Sequence, residues 1–121
     1  MSNLGAAMPF NNIEKQRIKK IVGRFCEELI PDHLRPQIKL FYEVRGLEVK
    51  IIESRLSSVN SHEWADSPIA RLKYDPETLG WEMYWRRSSG RWMKYPGLEP
   101  TNHLQSLVYE IVQDPHRVFW G

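Results

Sequence analysis

The sequence predicts an α+β fold: a five-stranded antiparallel sheet with an N-terminal and a C-terminal helix packed on one face. Three observations predict it. Apolar residues recur at three- and four-residue steps near both ends of the chain, and through the middle they alternate with polar ones. Most gaps between the alternating runs are short turns, and strands joined by short turns pair antiparallel. Each helix has one apolar stripe and the sheet has one apolar face, so both helices are expected on the same side. The other sheet face is then left open to solvent or to a partner.

The first helix is expected within residues 11–31. Ile18, Ile21, Val22, Phe25 and Leu29 form its stripe, Asn11 and Glu14 stand at capping-box spacing, and Pro31 ends it. Its charges oppose the helix dipole, with Lys15, Arg17, Lys19, Lys20 and Arg24 first and Glu27 and Glu28 last. Residues 1–10 are expected to be a flexible N-terminus, and residues 11–121 a single α+β domain.

Ile38, Leu40, Tyr42 and Val44 alternate with Lys39, Phe41 and Glu43. Beyond a tight connection at Arg45–Gly46, Leu47, Val49 and Ile51 alternate with Glu48, Lys50 and Ile52, which makes a β-hairpin. Residues 53–67 show neither period and carry Ser, Asn and Asp, so a long loop is expected there. Ala70, Leu72 and Tyr74 then alternate with Arg71 and Lys73, and "DPETLG" supplies a turn before Trp81.

The stretch from Trp81 to Tyr95, "WEMYWRRSSGRWMKY", reads as a second hairpin. Gly90 after Ser88–Ser89 suits a three-residue loop closed by a left-handed glycine bulge. That loop puts Arg87 opposite Arg91, with Trp81, Met83, Trp85, Met93 and Tyr95 on the apolar side. Glu82, Tyr84, Arg86, Trp92 and Lys94 share the other side, and a two-residue loop moves Trp92 across. The closing helix carries Leu104, Leu107, Val108, Ile111 and Val112 on one stripe. It is expected to start at Asn102 with Gln105 at capping-box spacing and to stop before Pro115. The apolar tail, Val118, Phe119 and Trp120, is expected to dock on the body.

Composition narrows the function classes. With 41% hydrophobic and 26% charged residues the chain is neither a disordered nor a membrane type, and no apolar run approaches a spanning length. One cysteine, Cys26, allows no disulfide within the chain, and the absence of a signal-like N-terminus points to the cytoplasm. A net charge of +2 permits an anionic partner without demanding one.

Three phrases, "FCEELIPDHLRPQIKLFYEVRG", "SPIARLKYDPETLGWEMYWRRSSGRWMKYP" and "DPHRVFWG", resemble a family of small bacterial proteins known as a domain of unknown function, numbered 3024. The likeness runs from about Phe25 to Gly121. It implies a stand-alone bacterial module and assigns no catalytic or binding residue.

The sharpest functional expectation is that the open sheet face binds single-stranded nucleic acid. Lys39, Lys50, Arg71, Lys73, Arg86 and Lys94 outnumber Glu43, Glu48 and Glu82 there, and Tyr84 and Trp92 lie among them. Phosphate contact needs the cations and base stacking needs the rings. The candidate residues are Arg71, Lys73, Tyr84, Arg86, Trp92 and Lys94. The same pattern suits an ordinary solvated sheet face, and no RNP sequence or glycine-rich phosphate loop accompanies it.

Other readings are weaker. The basic half of the first helix also suits a solvated face, and no recognition helix follows it. The Trp-rich hairpin and the tail aromatics Phe119 and Trp120 are candidate anchors for a protein partner or a homodimer. Catalysis ranks third: the four histidines are scattered, and turn chemistry accounts for His62, Glu63 and Asp66 more simply than a metal site or an acid–base pair does. Glu43 and Glu48 are expected to face each other exposed, and Cys26 to be a small core residue. No cofactor, metal or membrane partner is expected.

Overall fold

Asn11 starts the first helix as its capping-box spacing requires: its side chain accepts the Glu14 backbone N–H at 2.8 Å, and the Glu14 carboxylate accepts that of Asn11 at 2.8 Å. A computed structural model of the chain describes residues 9–60 and 62–120. Helix α1 (Asn12–Ile18) passes into a π-helical segment, Lys19–Gly23, and on into α2 (Arg24–Glu28), the backbone staying helical at both joins. Buried Ile18, Val22 and Cys26 stand four apart. That spacing drifts sideways on a 3.6-residue helix, and the wider turn holds it over the core.

Strands β1 (Ile38–Arg45), β2 (Glu48–Leu56), β3 (Trp64–Asp75), β4 (Gly80–Arg86) and β5 (Trp92–Lys94) form one antiparallel sheet in chain order. The long loop expected over residues 53–67 is therefore corrected. Strand β2 runs on to Leu56 and β3 begins at Trp64, with Leu56 paired to Trp64 and Ser54 to Asp66. A bulge hid this. Ile51 pairs with Ala70 and Ile52 with Pro68, so Ile69 is an extra residue in β3 and the alternation shifts there by one. Pro68, which has no N–H to give a ladder, sits beside that irregularity.

The second hairpin has the expected register. Trp85 pairs with Met93 and Arg86 with Trp92, while Arg87 N–H donates to the Arg91 carbonyl across the three-residue loop. Gly90 stands at φ 93°, a conformation that an L side chain rarely adopts. In the first hairpin Glu43 pairs with Lys50 and Arg45 with Glu48, so the expected facing of Glu43 and Glu48 does not occur.

Helix α3 (Leu104–Gln113) starts one residue later than the capping spacing suggested. His103 is its N-cap and gives no side-chain cap, so Asn102 plays no capping part. Leu104, Leu107 and Ile111 are buried, but Val112 is 43% exposed and leaves the expected stripe. Both helices meet the sheet on one side: Ile18, Val22, Phe25, Leu107 and Ile111 share one cluster with Val49, Ile51, Leu72 and Met83. Of the expected flexible segment, residues 1–8 lie outside the described residues. Phe10 is 4% exposed and stacks on Trp81 with ring centroids 5.5 Å apart, which corrects the expectation at that position.

Candidate nucleic-acid interface

Pleating turns successive residues to opposite faces, so the core positions fix what the other face shows. With Val49, Ile51, Leu72 and Met83 inward, one cross-sheet row on the outer face reads Glu43, Lys50, Arg71, Tyr84, Lys94. A neighbouring row reads Arg45, Glu48, Lys73, Glu82. On the far side of the first row, Phe41, Ile52 and Pro68 continue toward Arg86 and Trp92 as an apolar band. Ile52 is 5% exposed yet stands apart from the main core cluster, so its sheet neighbours cover it.

All six candidate residues therefore share this face. Arg71 and Trp92 come together, the guanidinium 5.2 Å from the ring centroid, and Lys73 lies 5.5 Å from that of Tyr84. A third pair was missed by sequence reasoning: Lys39 Nζ sits 4.2 Å over the Trp64 ring. The loop expected over residues 53–67 includes Trp64, and only the pairing of β2 with β3 brings it beside Lys39. Cations over ring faces are attracted by the ring quadrupole.

Two of the candidate cations are bound to carboxylates. Arg71 makes a two-pronged ion pair with Glu48, its Nη2 donating to Oε2 at 2.8 Å, and both side chains are about three-quarters buried. The hydrogen bond from Arg71 holds the Glu48 carboxyl below its ordinary value against the opposing effect of burial. Lys94 Nζ lies 3.0 Å from Glu82, whose hydrogen bond holds the ammonium's pKa up. Among the described residues, Lys39, Lys50, Lys73 and Arg86 have no acidic group within ion-pair distance.

The other sequence candidates fall elsewhere. Phe119 is buried and stacks on Tyr95 at 5.5 Å, so it belongs to the core. Trp120 is 36% exposed, and its indole N–H donates to the Ile111 carbonyl at 2.8 Å. Cys26 is buried as expected, and burial, with the neighbouring Glu27 charge, pushes its thiol up to about 12. His62, Glu63 and Asp66 are exposed, and among the described residues no group of three or more His, Cys, Asp or Glu is placed to hold a metal ion. No described helix is long and apolar enough to cross a membrane.

These features define a small α+β protein in which a meandering sheet carries both helices on one side and a cationic, aromatic face on the other. The chain belongs to the family described as "Domain of unknown function (DUF3024)", which matches residues 10–121. The match starts at Phe10, the residue that packs on Trp81, and so takes in the first helix as well as the sheet. No curated protein and no solved structure matches the chain.

Proposed function

We propose that this protein is a non-enzymatic binding module of the bacterial cytoplasm that holds single-stranded nucleic acid on the uncovered face of its sheet. The observation that carries this reading is the set of three cation-over-ring pairs, Lys39 with Trp64, Arg71 with Trp92 and Lys73 with Tyr84, on the face without helices. Half-exposed rings offer stacking surfaces, and the cations without carboxylate partners, Lys39, Lys50, Lys73 and Arg86, offer phosphate contacts. Arg71, held by Glu48, orients Trp92 rather than a phosphate. The alternative reading, protein association through tail aromatics, is weakened by the burial of Phe119.

The test is titration of a labelled single-stranded oligonucleotide at two salt concentrations. Binding is expected to weaken steeply with salt, and Lys50→Glu with Arg86→Glu to flatten that slope. Trp92→Ala or Tyr84→Ala is expected to cost about 1–3 kcal/mol of binding for each base stacked. No binding, or binding indifferent to salt and to these substitutions, overturns the proposal.

A further inference from the structure

A groove of about 860 Å³ runs between the N-terminal helix and α3, away from the sheet face described above. Its apolar lining is Ile21, Phe25 and Leu29 from one helix and Leu104, Val108 and Val112 from the other. The sequence stripes account for most of these side chains as core, but the groove leaves some of them uncovered: Val112 is 43% exposed and its neighbour Tyr109 is 63% exposed. Exposed apolar groups that gather along one groove mark an interaction site more strongly than the same groups scattered.

The two rims differ in charge. Arg17, Lys20 and Arg24 line the N-terminal side, and among the described residues none has an acidic group within ion-pair distance. The α3 side offers Asn102, Gln105 and Gln113, all neutral. Glu28 is the acidic residue of the lining. The π-helical segment Lys19–Gly23 delivers Lys20 and Ile21 to this groove, and such wide turns recur at functional sites.

We infer that this groove docks an acidic amphipathic helix from a partner protein. The apolar floor fits the apolar stripe of such a helix, and the single cationic rim fits carboxylates along one of its flanks. The ten residues of α3 span about 15 Å, which matches roughly three turns of a docked helix. A groove lined by two neighbouring helices suits a chain laid between them better than a small molecule enclosed by it. The site is separate from the sheet face and does not depend on the nucleic-acid reading.

The test uses fluorescence anisotropy with a labelled helix-forming peptide of about fifteen residues, leucines at i, i+3, i+4 and i+7 and glutamates along one flank. The folded protein is expected to bind it in a salt-dependent way. Arg17→Glu with Arg24→Glu is expected to weaken binding about tenfold or more and to restore it for a peptide carrying lysines in place of the glutamates. Val112→Asp is expected to abolish it. These side chains are exposed, and circular dichroism melts check that each variant is folded. Equal binding of a scrambled peptide, indifference to the charge reversal, or saturation by dodecanoate without peptide binding each overturns the inference. So does an oligonucleotide whose binding is lost in the charge-reversed protein while Trp92→Ala leaves it intact, which relocates the nucleic acid to the groove.

Discussion

The Asp114 carboxylate holds Trp120 against the body: its Oδ2 accepts the Trp120 backbone N–H at 3.0 Å, while Oδ1 accepts those of Val118 and Phe119 at 2.8 and 3.2 Å. Asp114 itself closes α3 in the left-handed region at φ 44°. One side chain thus ends a helix and folds the tail back over it, and the Trp120 indole satisfies a carbonyl that the helix end leaves without a partner.

Substitution of Asp114 separates its two roles. Asn tolerates the left-handed backbone and keeps one acceptor oxygen, so Asp114→Asn is expected to cost about 1 kcal/mol. Asp114→Gly keeps the backbone and removes every acceptor, and is expected to cost about 2–3 kcal/mol in thermal or urea melts. A glycine variant as stable as the parent shows that the tail needs no carboxylate.

Cys26 is expected to be inert toward a thiol reagent at pH 8 in the folded protein and to react at once in denaturant. Burial, aided by the Glu27 charge, raises its pKa to about 12, so almost no thiolate exists in the native state. Rapid modification of the native protein at the denatured rate contradicts the packing of Cys26 against the core.

The Glu48–Arg71 pair has a definite pH signature. The folded-state pKa of Glu48 lies below its ordinary 4.5. Its stabilisation is therefore complete above that value and is lost as the pH falls through the lower, folded value. Glu48→Gln is expected to cost about 1 kcal/mol at pH 7 and much less under acid conditions, read by parallel denaturation at the two pH values. An equal loss at both assigns the effect to something other than charge.

Gly90→Ala tests the loop that sets the hairpin register. The added Cβ meets the flexible end of Arg86 at 3.3 Å, which can move, whereas the φ of 93° remains strained. A loss of about 1 kcal/mol or more is expected. Stability unchanged or increased means that the loop adopts another conformation, and with it the assignment of Trp92 to the outer face fails.

What could be read from the sequence was what depends on parity and on neighbours along the chain. Gly90 fixed one hairpin, and Asn11 with Glu14 fixed one helix start, because turn and cap chemistry act locally. Ile69 defeated the same reasoning. One extra residue reverses the alternation before it, so Trp64 to Ser67 lost their strand pattern, and the Lys39–Trp64 pair was lost with them. The groove between the helices was invisible for a different reason: Val112 fits the apolar stripe of its own helix, and only the packing of two helices shows that it is left uncovered. Asp114 before Pro115 signals a helix end, but nothing local says that a tail returns to its carboxylate.

Each strand finds its partner next to it in the chain, so the sheet can zip up from hairpins as quickly as they form. Phe10 and Phe119 are different: their stacking partners, Trp81 and Tyr95, both belong to the stretch that makes the last hairpin. The helical side of the core is therefore complete only once Phe119 has docked on Tyr95, and the tail acts as its latch.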